Sequence, residues 1–212
     1  MKKIYSKIIL KIFQSAIFSY ILLKLIPYIR FNFYYTNFPG WKYKRGYRLL
    51  KPGDIILTKD KWKLTSFLIP GEFCHAALSV DKSMATEFEV AEMTHTHFTK
   101  SNFYDICRQS TRVKIIRCVD WDEEYTQEVI AKCRSFEHHK YDVGFSLGIK
   151  SLYCSEMVIH SDFKSKLKVS YDDLAGLGRP YISPTGLSRA KNIKTIWDSN
   201  LESNKSVEKW GD

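Results

Sequence analysis

The sequence predicts an α+β domain: several short strands first, then the main helices. Three observations carry this. Apolar runs of strand length, bounded by Gly, Pro or polar residues, lie in "KPGDIILTKD" (51–60), "CHAALSVD" (74–81), "MATEFEVAEM" (84–93) and "RVKIIRCV" (112–119). Residues 122–138 have helical periodicity. A second helix-like pattern follows in "SLYCSEMVIHSDF", residues 151–163. The 212 residues suffice for one domain plus an appendage, and the 44% hydrophobic content is that of a globular chain.

The first 30 residues form the appendage. "MKKIYSKIILKIFQSAIFSYILLKLIPYIR" opens basic and is then almost wholly apolar from Ile8 to Ile29. On a helical wheel Lys7, Lys11, Gln14 and Ser15 make one narrow polar stripe, with Lys24 off it. No small-x-small cleavage site follows, which argues against a cleaved secretory signal. A spanning helix would carry Lys24 deep in the bilayer, at a cost of about 2.5–3.5 kcal/mol. The stripe suits an interfacial helix on an anionic membrane surface, or a helix packed on the domain's own core. The expected location is accordingly membrane-associated or cytoplasmic.

Residues 31–197 are expected to form the domain. "FNFYYTNFPGWKYKRGYRLL" reads as an aromatic, basic connector with a Pro-Gly break. A turn at Pro52-Gly53 leads into the first strand. "KWKLTSFLIPGEF" reads as a short helix or loop ended by Pro70-Gly71. The strands at 74–81 and 84–93 are joined by a turn near Lys82-Ser83, and the strand at 112–119 follows a polar stretch. In the helix at 122–138, Tyr125, Val129, Cys133 and Phe136 recur at i+4 and i+3 spacing after Trp121. Asp122, Glu123 and Glu124 sit in its first turn, where the helix dipole favours acids. The cysteine helix comes next. "LAGLGRPYISPTGL" is rich in Gly, Pro and Ser, and the tail 198–212 is polar and expected to fray. The sheet is expected to be small, antiparallel and packed on the cysteine helix.

The net charge of +10 suits anionic partners such as phospholipid or a cell-wall polymer. The basic residues are scattered and accompany no nucleic-acid-binding motif, so no nucleic acid is expected. The five cysteines are irregularly spaced, with no CxxC, and describe no disulfide framework. His95 and His97 in "THTH" would make half a metal site, but no further ligands stand at a recognisable spacing. No metal and no organic cofactor is expected.

Cys154 differs from the other cysteines. It falls at the first turn of its helix, where unpaired N–H groups and the dipole favour thiolate over thiol. A nucleophilic cysteine also needs a base. His75, early in a strand and just after a Pro-Gly break, is the best of the six histidines. Its parity matches Ala77 and Ser79, small residues that leave room beside the ring, whereas Cys74 points to the other face. His138 and His139 end the helix at 122–138, and His160 points away from Cys154. Three acids could orient His75. A turn of even length between the strands would bring Glu92 to its face, and one of odd length Glu87 and Glu89.

In this order, "KPGDIIL", "IPGEFCHAALSV", "VAEM", "YDVGF" and "YCSEMV" resemble the circularly permuted NlpC/P60 cysteine hydrolases of the YiiX/YebB-like kind. These are papain-like enzymes related to the LRAT-like group. The resemblance covers roughly residues 50–190. The histidine precedes the cysteine, as permutation implies, and "YISPTGL" resembles the family's Pro-containing segment after the cysteine helix. The resemblance implies a permuted papain-like fold and a Cys154–His75–acid triad, with Glu92 favoured as the acid. It implies a cysteine hydrolase that cleaves amide bonds through a thioester, on a peptide or muropeptide. The alternatives are a membrane-associated acyl hydrolase or acyltransferase acting on lipid, and a binding module that kept the fold. The Cys154 N–H would supply one oxyanion donor. The usual papain-like glutamine has no evident counterpart, leaving Tyr141 and Tyr153 as contributors to consider.

Overall fold

The computed structural model describes residues 38–60, 69, 71–82, 88–142, 144, 145, 148–173 and 180–201, with residues 15, 20, 21, 24 and 29. The expected helix at 1–30, apart from those five residues, lies outside this set. So do the hairpin turn with Glu87, most of the segment at 61–70, and the tail from 202. No helix among the described residues is long and apolar enough to cross a membrane.

Along the chain the described elements are α1 (Gly40–Leu49), β1 (Ile55–Lys59), β2 (His75–Lys82), β3 (Phe88–Met93), β4 (Phe98–Asn102), α2 (Phe103–Arg108) and β5 (Arg112–Cys118). Then follow α3 (Glu123–Arg134), β6 (Lys140–Tyr141), β7 (Ser151–Leu152), α4 (Cys154–Ser161), β8 (Asp172–Asp173), β9 (Pro180–Tyr181), α5 (Pro184–Ser188) and β10 (Ile193–Asp198). Six strands form one antiparallel sheet in the order β10-β5-β1-β2-β3-β4.

Strand alternation divides the core in two. On one face Ile55, Leu57, Ala76, Leu78 and Ile116 pack against Val129 and Cys133 of α3 and Met157 and Val158 of α4. On the other face Ile56, Ala77, Val90, Val113 and Ile115 meet Phe103, Ile106 and Cys107 of α2 and Trp197 of β10, with Tyr43 and Tyr47 of α1 against them. Burial on both sides explains why β1 is a continuous apolar run rather than an alternating one.

The sheet is therefore larger than expected and covered on both faces. Where a connector was expected, α1 begins directly after Pro39. It lies so close to the sheet that a Cβ on Gly46 would come 2.9 Å from the Trp197 ring. The helix expected at 122–138 runs only from Glu123 to Arg134, with the Asp122 carboxylate capping Tyr125 N–H at 2.7 Å. His138 and His139 lie beyond its end. The segment expected to fray begins with Asp198 and Ser199, both buried. Asp198 accepts from Arg112 Nε at 3.1 Å and Nη2 at 2.6 Å, and Ser199 Oγ accepts from Val113 N–H at 3.0 Å.

The turn before β1 has its own logic. Gly53 takes φ +84°, in the left-handed region. Asp54 follows, fully buried, and its carboxylate accepts from Lys51 N–H at 2.7 Å and from Arg117 Nε at 2.6 Å. Burial raises the Asp54 pKa, against the opposing pull of Arg117.

Candidate active site

Cys154 is placed by a short parallel pair. β6 and β7 align Tyr141 with Leu152, and Asp142 N–H donates to Leu152 C=O at 3.1 Å. The chain turns at Tyr153, in extended backbone conformation, straight into α4, so Cys154 is the first helical residue. Tyr153 makes no side-chain cap hydrogen bond. The residues on either side of Cys154 are both fastened to Ile182. Ser155 Oγ donates to Ile182 C=O at 2.7 Å, and Ile182 N–H donates to Tyr153 OH at 3.0 Å.

His75 opens β2. Ser79 N–H donates to Asp54 C=O on the β1 side, so from His75 to Ser79 odd-numbered amides point to β1 and even-numbered amides to β3. The β2–β3 ladder ends at the pair Ala77–Glu92. Ala76 N–H therefore lies beyond the ladder, and it hydrogen-bonds the Cys154 side chain. Upstream of His75, the Thr185 hydroxyl accepts from Phe73 N–H at 3.0 Å and donates to Phe73 C=O at 3.2 Å. The 182–185 segment thus holds both the strand that leads to His75 and the start of the cysteine helix.

Glu92 Oε2 lies 2.7 Å from His75 Nε2, and Glu92 Oε1 accepts from Ser101 Oγ at 2.7 Å. The other ring nitrogen, Nδ1, remains for the hydrogen bond between His75 and Cys154. The last β2–β3 pair is Lys82–Phe88, which leaves residues 83–87 in the turn, an odd span. By turn length alone Glu92 would face away from His75. A bulge between Ser79 and Asp81 adds one residue to β2 and restores the register that brings Glu92 across. Glu89 is turned to the other side, where Arg134 Nη2 lies 3.4 Å away.

The electrostatics follow from this line of groups. Burial alone would lower the His75 pKa, but the hydrogen bonds and charges of Cys154 and Glu92 outweigh it and raise the pKa to about 10. Burial alone would raise the Cys154 pKa, and here the neighbouring His75 wins and lowers it. The pair therefore favours thiolate and imidazolium together. By contrast, burial pushes Cys133 up to about 12 and also raises Cys118. Cys74 Sγ is 3.6 Å from Thr58 C=O.

An aromatic wall stands beside the thiol. Tyr141, Tyr153 and Tyr181 each have their phenol pKa raised, by burial first, with the charge of Cys154 adding to it. Phe145 packs on Tyr153 and Tyr181 with ring centroids 5.2 and 6.1 Å apart. The Tyr153 hydroxyl is engaged by Ile182 N–H. His160 Nε2 is 3.5 Å from Glu156 Oε1, and His97 Nδ1 is 2.8 Å from Thr96 Oγ1. Among the described residues no group of three or more His, Cys, Asp or Glu could hold a metal ion.

The structure brings Cys154, His75 and Glu92 together, and the sequence reading did not anticipate Ser101, Ser155 or Thr185. Ser155 stands in "YCSEM" and Thr185 in "YISPTGL", both already singled out. Ser101 had no signal, because the strand that carries it was not expected.

A profile of the family described as "Permuted papain-like amidase enzyme, YaeF/YiiX, C92 family" matches residues 49–208. Among solved structures, a protein titled metalloprotein yiiX from Escherichia coli O157:H7 superposes with a TM-score of 0.59 at 15% sequence identity, over 69% of this chain and 96% of that one. At that identity the likeness speaks for the fold alone. No curated protein matches the sequence.

Proposed function

Since the chain belongs to the permuted papain-like amidase family of the YaeF/YiiX type, we propose that it hydrolyses amide bonds of a peptide-type substrate with Cys154 as nucleophile, His75 as acid and base, and Glu92 as the group that orients His75. The observation that carries this is the His75 ring, bonded to Glu92 through Nε2 and to the Cys154 side chain at the start of α4.

The steps follow from the placement. The Cys154 thiolate attacks the carbonyl carbon and forms a C–S bond, and the oxygen takes the negative charge. The Cys154 backbone N–H, at the helix start where no intrahelical acceptor exists, is one donor to that oxygen. The intermediate collapses, the C–N bond breaks, and the His75 imidazolium gives its proton to the departing amine. The neutral His75 then takes a proton from water, which attacks the thioester. The acid product leaves and the imidazolium–thiolate pair returns. Glu92 accepts from His75 Nε2 throughout and fixes the ring's tautomer.

A second reading takes a fatty acyl group as the group transferred. Intact-protein mass spectrometry after rapid quenching separates the two. Peptide or muropeptide substrates should leave a covalent adduct on the wild type, and Cys154→Ala should show none. An adduct formed only from lipid would replace the first reading with the second. An adduct that persists in Cys154→Ala would remove Cys154 as the nucleophile.

A further inference from the structure

Glu92 is held from two sides, and only one of them belongs to the triad. Its side chain is 16% exposed, and its two oxygens have separate partners: His75 Nε2 on Oε2 and Ser101 Oγ on Oε1, both at 2.7 Å. A carboxylate can only accept, so the Ser101 hydroxyl is the donor. Register explains the contact. Ser101 lies opposite Val90 and Thr99 opposite Glu92, so Ser101 is the diagonal neighbour of Glu92 on the same face. The position of Ser101 is itself fixed. The next residue, Asn102, ends β4 and caps α2, its side chain accepting from Asp105 N–H at 2.8 Å.

We infer that Ser101 is a positioning residue for the reaction: its hydroxyl holds the Glu92 carboxylate in the rotamer that receives His75 Nε2, and so acts on Cys154 through two intervening groups. A hydrogen bond to the ionised form of a carboxylate favours that form. Without it, a largely buried Glu92 takes up a proton more readily and loosens its hold on His75. The imidazolium–thiolate pair then gives way at a higher pH. Among the described residues the titratable groups around this line include His75 on β2, Cys154 on α4, and Tyr141, Tyr153 and Tyr181, which feel the charge of Cys154.

This inference rests on the triad reading, and the test keeps the two apart. The rate of Cys154 alkylation by iodoacetamide is measured against pH in the full chain, for wild type, Ser101→Ala, Ser101→Thr and Glu92→Gln. The expected result is that the acid limb moves up by about one pH unit in Ser101→Ala, so that alkylation at pH 6 is slowed about tenfold. Ser101→Thr should restore the wild-type profile, and Glu92→Gln should shift it at least as far as Ser101→Ala. If Glu92→Gln shifts the profile and Ser101→Ala does not, Ser101 only fills space and the inference falls while the triad stands. If neither shifts it, both fall. A shift that Ser101→Thr fails to reverse would also overturn the role of the hydroxyl. Should Ser101→Ala not fold, Ser101→Cys, close in size and a weaker donor, makes the same comparison.

Discussion

At the scale of single residues the site is a competition between burial and pairing. Burial opposes charge on both Cys154 and His75, and each supplies the opposite charge that lets the other keep its own. On Cys133 the same burial outweighs the opposing pull of Ser161 and Arg134, and the thiol is pushed up to about 12. This sets the pH behaviour. His75 holds its proton up to about 10, and in the proposed mechanism it is the acid when the amine leaves, so turnover should fall as pH rises through about 10. Alkylation of Cys154 needs the thiolate but no acid, so it should not fall there. Parallel pH profiles of turnover and of iodoacetamide labelling check this. A common alkaline decline in both would mean that the fold, not His75, is titrating.

At the scale of elements the register of β2 and β3 decides which acid meets His75, and a single extra residue decides the register. The bulge between Ser79 and Asp81 offsets the odd span of residues 83–87. Turn length could not have shown this, because a bulge leaves no mark in the alternation of so short a strand. The strands at β1, β2, β3 and β5 and the start of α4 were legible because each has its own local pattern. Neither β4 nor β10 was. "FTKSN" carries one fully buried residue, Phe98, and "IKTIWD" becomes regular only through pairing with β5. For the same reason Ser101 could not be read from sequence, whereas Cys154 could. The turn that launches β1 gives a direct test. A Cβ on Gly53 would come 2.3 Å from Thr126 Cγ2 at a φ of +84°, while one on Gly40 meets nothing within 4 Å. Gly53→Ala should lower the unfolding free energy by roughly 1–3 kcal/mol, and Gly40→Ala should leave it unchanged or slightly raised. Urea midpoints at constant m-value check both.

At the scale of the whole molecule the site is a meeting of segments far apart in the chain. His75 comes from the middle of the sheet, Glu92 from the neighbouring strand, and Cys154 from a helix that is buried along nearly its whole length. The 182–185 segment closes the arrangement: Ile182 holds the residues flanking Cys154, and Thr185 holds Phe73, two residues before His75. The order of histidine before cysteine, legible in the sequence, is thus realised on an antiparallel sheet with the cysteine helix against one face. The central claim is that this assembly makes Cys154 and His75 one ionised pair. The pH dependence of Cys154 alkylation in wild type and His75→Ala tests it most directly, with near-ultraviolet circular dichroism showing that the variant is folded. The half-maximal rate should move to higher pH in His75→Ala, towards the value near 8.5 of a free thiol, since burial is then opposed only by the weaker hydrogen bonds of Ala76 N–H and Ser155. A folded His75→Ala whose alkylation profile coincides with that of the wild type would contradict the account.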